Sequence, residues 1–360
     1  MTGAPTTLPS SPSRPLRGWL VGPGFDSLFV ANILWPLLLV VALGSDGFDG
    51  RAGLQFWQIY FVTTPHRWIT LFLVFGDRER FQERRGTFLA IAAAVVAACL
   101  GLLLTTGSLL CLLAVEYVWN VWHFAAQHHG IYRLYGRLAA SLPSPAIPHD
   151  KWVIRGFLLY VMGRVAGGTW SVVWLDDILQ WTDWPMLLLP LWLAAAEWRT
   201  TGPGLRGRSL YLASVLSLYV ALLGAAHFSQ PRWLLALTTV SALFHATEYL
   251  ALVGWSVDHR VRDHGPRLGM IARFAGKWSL LLAAYVLTLG AGGWLIERHG
   301  LNLWLTLNLM AAFLHYAYDG LIWRKVRKSA PNTASPPIAR SSPPRERVPA
   351  AATSTALSRS

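Results

Sequence analysis

Cysteine and charged residues are both scarce in this chain of 360 residues. Only two cysteines occur, Cys99 and Cys111, and both lie inside apolar runs, so neither a disulfide framework nor a CxxC metal site is available. Charged residues make up 14% of the chain and hydrophobic residues 54%, a balance too apolar for an ordinary soluble protein. We therefore expect an integral membrane protein.

Acidic residues are the scarcer charged group, and the chain carries a net charge of +13. The basic residues lie in short segments between apolar runs, where they act as topology signals and contact anionic lipids. We expect membrane lipids as partners and no binding of nucleic acid. The basic segments GDRERFQERR and VDHRVRDHGPR could also receive a cytoplasmic electron donor, although a topological role explains them as well.

Apolar runs of roughly 17 to 25 residues predict about ten membrane-spanning helices. The predicted segments are 26–44, 54–75, 87–107, 108–129, 152–168, 185–197, 209–226, 233–255, 278–297 and 302–323. The sixth is short, and we expect it to be tilted or partly interfacial. Arginine and lysine cluster in alternate connecting segments, which predicts that both termini are cytoplasmic. The fold class is thus an all-α, multi-pass bundle, expected in the cytoplasmic (inner) membrane.

Both ends of the chain lack apolar runs and are rich in proline and serine. Such segments bury too little apolar surface to fold by themselves. We predict a disordered N-terminal arm over residues 1–18, a transmembrane domain over residues 19–328, and a disordered tail rich in proline, serine and arginine over residues 329–360.

Four histidines fall inside predicted spans, all of them even-numbered: His66, His123, His245 and His315. Even-numbered spans run in one direction, so position along the span gives depth, and all four lie roughly 10–15 Å from the cytoplasmic end. An ionisable group costs at least about 2.5 kcal/mol at the middle of a helix in lipid, so it faces the bundle interior and often marks a functional site. We expect the four imidazoles to converge on one buried site.

Polar side chains share a helix face with each of these histidines. They are Thr63, Thr70 and Asp77 in the second span, Glu116, Asn120 and Gln127 in the fourth, Glu248 and Tyr249 in the eighth, and Asn308 and Asp319 in the tenth. We predict the histidines as metal ligands and the carboxylates Glu116, Glu248 and Asp319 as catalytic groups, as further ligands or as partners that orient the ligands. The amides Asn120, Gln127 and Asn308, together with Tyr249, are predicted to position the cofactor.

Other polar residues in or near the spans are given simpler roles. His128 and His129 lie off the polar face of the fourth span, which favours an interfacial or supporting role. Arg155 and Arg164 in the fifth span are interpreted as topological or lipid-facing anchors, and His227 is interpreted as a surface residue at a loop edge.

Neutral imidazole is the commonest protein ligand for iron, zinc and copper. Without thiolates a structural zinc site is disfavoured, and histidines beside carboxylates suit non-haem iron, or a di-metal centre, in O₂ chemistry. A centre buried in the bilayer would act on a lipid-soluble substrate such as an isoprenoid, an acyl chain or a quinone. The hypothesis is a metal-dependent membrane oxidoreductase or oxygenase.

The arrangement resembles that of the bacterial membrane β-carotene dioxygenase family, whose helices present single histidines to one iron. The similar pieces are Pro65-His66 in an early span, His123 in a middle one, His245 in a later one, and His315 followed by Asp319. The chain differs from that family in having Tyr249 where a further histidine tends to stand, and in the extra polar face of the fourth span. The resemblance implies a single histidine-bound iron and O₂-dependent cleavage of a polyene.

Two alternatives use the same residues. In a haem-binding electron carrier, histidines on facing helices would supply axial ligands. In a proton-coupled transporter, Glu116, His123, Glu248 and Asp319 would form a relay. A Soret absorption band would indicate the haem protein, and the absence of a stoichiometric metal would favour the transporter.

Overall fold

A computed structural model describes residues 18–44, 59–138, 147–170, 173–200, 202–264 and 277–323. All regular secondary structure in these ranges is helical. The helices of ten residues or more are α1 (Trp35–Gly44), α2 (Thr64–Gly76), α3 (Arg85–Thr106), α4 (Leu110–Leu138), α5 (Asp150–Trp170), α6 (Val173–Thr200), α7 (Arg206–His227), α8 (Pro231–His264), α9 (Trp278–His299) and α10 (Leu301–Ile322). The predicted tail and, apart from Gly18, the predicted N-terminal arm lie outside the described residues.

The all-helical fold class is confirmed, and each predicted apolar segment overlaps one of these helices. By length and composition, five regions in the described part of the chain suffice to cross a membrane. They are Pro23–Gly44, Arg85–Thr106, Arg206–His227, Pro231–Arg262 and Ser279–His299. These helices are consistent with a membrane protein. Helices α4 and α10, by contrast, carry polar stripes that lower their hydropathy.

The first predicted segment is interrupted rather than continuous. A π-helical turn, Asp26–Val30, precedes α1, and between them Asn32 has a φ of 44°. Asparagine tolerates this left-handed conformation better than most residues do. The Asn32 amide nitrogen lies 3.3 Å from the carbonyl oxygen of Phe244 in α8. The interruption therefore attaches the segment to α8 directly beside His245.

The sixth predicted segment is longer than expected. Helix α6 has 28 residues and includes Pro185 and Pro190, whereas the prediction placed its start at Pro185. The preceding polar stretch, LDDILQWTDW, lies between the fifth and sixth predicted segments and is typical of a loop. It is helical because Asp183, the polar residue nearest to Pro185, is buried against a cation from the neighbouring helix instead of facing water.

That cation is Arg164 of α5, so the interpretation of Arg164 as a lipid-facing anchor is wrong. Arg164 and Asp183 are each 2% exposed, and the Arg164 Nε atom lies 3.1 Å from Asp183 Oδ1. The interpretation of His227 as a surface residue is also wrong, since its Nδ1 atom lies 3.0 Å from Asp183 Oδ2. Arg155 is partly exposed, and its guanidinium lies 5.3 Å from the ring centre of Trp122.

Packing brings together the helices that carry the intramembrane histidines. Helix α10 contacts α2, α3, α4 and α9, while α8 contacts α1, α2 and α7. Helices α3 and α9 lie at the periphery, since only 11% of the most apolar window of each is buried. Their exposed apolar surfaces are typical of helices that face lipid. Helices α2, α4, α8 and α10 meet in the interior.

Candidate metal centre

The four intramembrane histidines form a closed ring of imidazoles, which we call the histidine ring. The ring centre of His66 lies 5.3 Å from that of His245 and 5.2 Å from that of His315. The ring centre of His123 lies 5.2 Å from that of His245 and 4.7 Å from that of His315. All four side chains are buried, with His123 the most exposed at 8%. The structure therefore brings together one histidine from each of α2, α4, α8 and α10.

Local structure places His66 at the start of its helix. A π-helical turn, Ile59–Thr63, leads into α2, and Pro65 occupies the first turn, where its missing N–H costs no hydrogen bond. The Pro65 carbonyl accepts a hydrogen bond of 3.1 Å from Tyr285 of α9. π-Helical turns often occur at functional sites. His66 is thus held by a fixed helix start rather than by a flexible segment.

The spacing of the histidine ring fits ligation of one metal ion. Two imidazole nitrogens bound at about 2.1 Å to one metal, with an angle of about 90–110° between them, lie roughly 3.0–3.4 Å apart. The Nε2 atoms of His123 and His315 are 3.1 Å apart. The same geometry places neighbouring ring centres about 4.5–5.2 Å apart, and the observed range is 4.7 to 5.3 Å. The pair His123 and His315 therefore already has the spacing of two ligands to one metal ion.

Several ring nitrogens lack hydrogen-bond partners among the described residues. Both nitrogens of His245 and Nε2 of His66 are buried and unpartnered in this part of the chain. Burying a polar atom without a partner costs about 1–3 kcal/mol, and such atoms in a native structure call for an explanation such as a metal ion. The unpartnered, buried ring nitrogens therefore fit a metal ion at this site, as the spacing of the rings also does.

His315 is oriented by groups on its outer side. Thr70 Oγ1 lies 2.7 Å from His315 Nδ1 and 2.7 Å from the Tyr249 hydroxyl. The Tyr249 hydroxyl in turn donates to Asp319 Oδ1 at 2.5 Å. Because Nδ1 is occupied, Nε2 is the nitrogen directed to the ring centre, an arrangement typical of metal-ligating histidines. The predicted residues Tyr249 and Asp319 thus lie at the site.

Glu248 lies beside His245, the member of the histidine ring diagonally opposite His315. Its Oε1 atom accepts a hydrogen bond of 2.7 Å from Gln127 and lies 3.2 Å from His128 Nδ1, while Oε2 accepts one of 3.0 Å from Tyr211. His245 Nδ1 is 3.8 Å from Oε1. Gln127 and Glu248, both predicted, are therefore brought to the site. Of the two roles predicted for His128, the contacts agree with the supporting one and not with the interfacial one, because its side chain is buried against Tyr211 and Glu248.

Three overlapping groups each offer ligand atoms within 4.8 Å of one another. They are His66, His245 and His315; His123, His315 and Asp319; and His128, His245 and Glu248. His315 links the first two groups and His245 links the first and third. The described chain can therefore hold a metal at this location with nitrogen ligands alone or with a carboxylate added.

Glu116 and Asn120 do not contact the histidine ring directly. The Tyr316 hydroxyl lies 2.7 Å from Glu116 Oε1 and 2.9 Å from Asn120 Oδ1. The Tyr316 ring is interposed, with its centre 5.0 Å from that of His123. The contacts of Glu116 and Asn120 are thus with Tyr316, and the roles predicted for these two residues stay predictions. Helix α4 places them one to two turns before His123, and Tyr316 fills the space between.

Two further residues lie away from the ring. Asn308 was predicted to position the cofactor, but its Oδ1 atom accepts a hydrogen bond of 3.2 Å from the Trp68 indole instead. It precedes His315 by seven residues, so it lies about two turns along α10 from the site. His129 points away from the ring, with Nε2 3.6 Å from Asp150 Oδ1. Its supporting role stays a prediction.

The sequence interpretation missed Arg67, Tyr211 and Tyr316. Arg67 and Tyr316 directly follow ring histidines, so a helical-face argument directs them about 100° away from the site. Tyr211 lies on α7, which reads as an ordinary apolar span. An intramembrane arginine is itself a signal of function, and Arg67 could have been found on that basis.

Chemically, the site combines neutral nitrogen ligands, two buried carboxylates and several hydroxyl groups inside an apolar bundle. No family model, curated protein or solved structure matches the chain. The geometry of these residues is therefore the basis for the proposed function.

Proposed function

We propose that this protein is a membrane-embedded oxidoreductase with a histidine-ligated metal, iron, that uses O₂ to oxidise a lipid-soluble substrate. One observation carries the proposal. Four buried imidazoles from four helices lie with neighbouring ring centres 4.7 to 5.3 Å apart, and the ring nitrogens of His245 and Nε2 of His66 have no hydrogen-bond partner among the described residues.

His66, His123, His245 and His315 would hold the iron, and Asp319, whose Oδ2 atom is 3.8 Å from His123 Nε2, is the nearest carboxylate of the second group. Iron bound by imidazole and carboxylate supplies activation of O₂ when it is present. Thr70 orients His315 through its Nδ1 atom, and Glu248 is the carboxylate nearest to His245, with Oε1 3.8 Å from His245 Nδ1. The surrounding apolar side chains exclude bulk water from the site.

The proposal includes a topology of ten spans with both termini cytoplasmic. Helix α6 is not among the five regions that are apolar enough by composition, but its exposed tryptophans support it as a span. Trp181 is 81% exposed and Trp198 is 84% exposed. The 17 residues that separate them correspond to about 25 Å of helix, close to the thickness of the hydrocarbon core. Tryptophans favour the two interfaces of a membrane, which suits this spacing.

The substrate class follows from the position of the histidine ring. An isoprenoid, an acyl chain or a quinone can enter such a bundle from the bilayer without leaving an apolar environment. The resemblance to the β-carotene dioxygenase family favours a polyene among these. The basic segment around Arg78 and Arg80 is the proposed contact for a cytoplasmic electron donor if the reaction needs one.

Metal content tests the proposal directly. The protein purified in detergent is expected to contain about one iron per chain by plasma mass spectrometry. Replacing two opposed ligands, His245→Ala with His315→Ala, is expected to remove the metal, because the remaining pair, His66 and His123, cannot complete a site. The control is His259→Ala. This variant removes a partly exposed histidine of α8 whose hydrogen bonds among the described residues are to Trp255 and Arg262 of the same helix.

Two outcomes would contradict the iron proposal. A Soret band in the absorption spectrum would identify haem as the cofactor. Wild-type protein with neither iron nor haem would remove the oxidoreductase function altogether.

A proton relay is the second candidate, because the site contains a continuous series of hydrogen bonds. It runs from Asp319 through Tyr249 and Thr70 to His315 and on to His123. A relay needs no stoichiometric metal. Metal-free wild-type protein that takes up protons in liposomes under an imposed potential, with uptake lost in Tyr249→Phe, would establish the transporter in place of the oxidoreductase.

A further inference from the structure

A second polar site adjoins the histidine ring, and we call it the Arg67 cluster. It consists of Arg67 of α2, Glu116 and Asn120 of α4, and Tyr316 of α10. The Arg67 guanidinium lies 3.0 Å from Glu116 Oε1, and the Tyr316 hydroxyl contacts both Glu116 and Asn120. Three of the four helices that build the histidine ring therefore also build this cluster.

The Arg67 cluster connects the histidine ring with the outer surface of the bundle. Tyr316 contacts the His123 ring on one side and the Trp119 ring on the other, with centres 5.0 and 5.8 Å apart. Trp119 is 37% exposed, and the side chains of Arg67 and Glu116 are 25% and 14% exposed. A molecule that enters between α2, α4 and α10 would meet the cluster before it reaches the histidines.

An ion pair that only joins two helices is the simpler explanation, but it leaves the arginine unsatisfied. A guanidinium has five N–H donors. The Arg67 Nε atom is buried without a partner among the described residues, and Glu116 Oε1 is already shared with Tyr316. Charged side chains at membrane depth are costly and mark function more often than packing. The Arg67 cluster therefore has an unused donor that one more hydrogen-bond acceptor would satisfy.

We propose that the Arg67 cluster binds an oxygen atom at one end of an otherwise apolar substrate. The substrate is then a hydroxylated or keto isoprenoid or acyl lipid rather than a pure hydrocarbon. The oxygen is neutral, because Glu116 already balances the charge of Arg67 and would repel a second carboxylate at this low dielectric. The inference rests on the proposed function, since it names the substrate class of the same site.

Three fluorescent probes with one tetraene chain test the inference: cis-parinaryl alcohol, the matching hydrocarbon and cis-parinaric acid. Binding to wild-type protein in nanodiscs is followed by energy transfer from its tryptophans, with empty nanodiscs to correct for partition into lipid. One hydrogen bond to a charged donor is expected to make the alcohol bind roughly tenfold more tightly than the hydrocarbon. The acid is expected to bind more weakly than the alcohol.

The variant that tests the residue assignment is Arg67→Gln with Glu116→Gln. It replaces the ion pair by neutral amides of similar size, so no buried charge is left without its partner. The double variant is expected to bind the alcohol at most about twofold more tightly than the hydrocarbon. Its metal content is expected to stay unchanged. The control is Arg155→Gln, which removes a partly exposed arginine of α5 whose Nε also lacks a partner in the described part of the chain.

Several results would overturn the inference. They are equal binding of alcohol and hydrocarbon by the wild type, binding of the acid at least as tight as that of the alcohol, and retention of the preference in the double variant. Loss of metal together with the preference would show that the cluster only supports the fold of the histidine ring. If the wild type prefers the alcohol but contains no metal, the proposed function fails while the lipid-binding site stands.

Discussion

At the scale of single residues, the hydrogen bonds around each imidazole decide which nitrogen faces the centre. His315 is the clearest case, because Thr70 occupies its Nδ1 atom at 2.7 Å. Thr70 is in turn connected to Tyr249 and so to Asp319. Through Tyr249 and Thr70, the Asp319 carboxylate thereby influences the orientation of His315, a candidate ligand. The strength of metal binding should depend on this neutral hydroxyl as well as on the ligand itself.

Thr70→Val is therefore expected to weaken metal binding by about tenfold, since losing a partner that orients a ligating histidine typically costs 10- to 100-fold. Competition with a coloured chelator measures the change. Thr238→Val is the matched control, because its hydroxyl bonds only the Leu234 carbonyl of its own helix, α8. Equal affinities of the two variants would show that Thr70 does not orient His315.

At the scale of helices, buried ion pairs outside the metal site hold neighbouring elements together. Asp183 of α6 receives Arg164 of α5, His227 of α7 and the Tyr160 hydroxyl at 2.6 Å. Three helices thus meet on one carboxylate. This contact explains why α6 continues through a stretch whose acidic residues are typical of a loop.

Arg164→Met is expected to destabilise the protein strongly, because it leaves the Asp183 carboxylate buried without its arginine partner. Breaking a buried pair on one side typically costs about 3–5 kcal/mol. Arg164→Met combined with Asp183→Leu removes both charges and is expected to cost less. Thermal unfolding in detergent measures both variants. The assignment is contradicted if the double variant unfolds at the same temperature as the single variant or lower.

At the scale of the whole molecule, the proposed topology makes α2, α4, α8 and α10 run in one direction across the membrane. Parallel spans with histidines at similar distances from their predicted cytoplasmic ends would place those histidines in one layer. The exposed residues Glu83, before α3, and Ser229, after α7, are separated by five helices. If all five cross the membrane, the two residues lie on opposite sides of it.

Cysteine labelling tests this topology in a background of Cys99→Ala and Cys111→Ser. In right-side-out vesicles, a membrane-impermeant maleimide is expected to label Ser229→Cys but not Glu83→Cys. The pattern should reverse in inside-out vesicles. Labelling of both positions from the same side would mean that one of the five helices does not cross, with α6 the first to re-examine.

Much of this protein could be predicted from its sequence. The apolar runs predicted every helix of α1 to α10, because each needs a continuous stretch of apolar side chains to lie in a bundle or in lipid. The count of residues from each helix end placed the four histidines at one depth, because the helical rise is nearly constant. Depth along an axis is therefore a property that the sequence alone determines.

Only the tertiary structure decided which side chains meet around those axes. Arg67 and Tyr316 lie one residue beyond their histidines, and His128 lies off the polar face, yet each contacts a group predicted for the site. The sequence around Asp183 is typical of a loop, whereas in the structure Asp183 is paired with Arg164. The physical reason is that helix rotation and neighbour choice depend on packing between segments distant in the chain. A helical-face argument considers one helix at a time and has no access to those contacts.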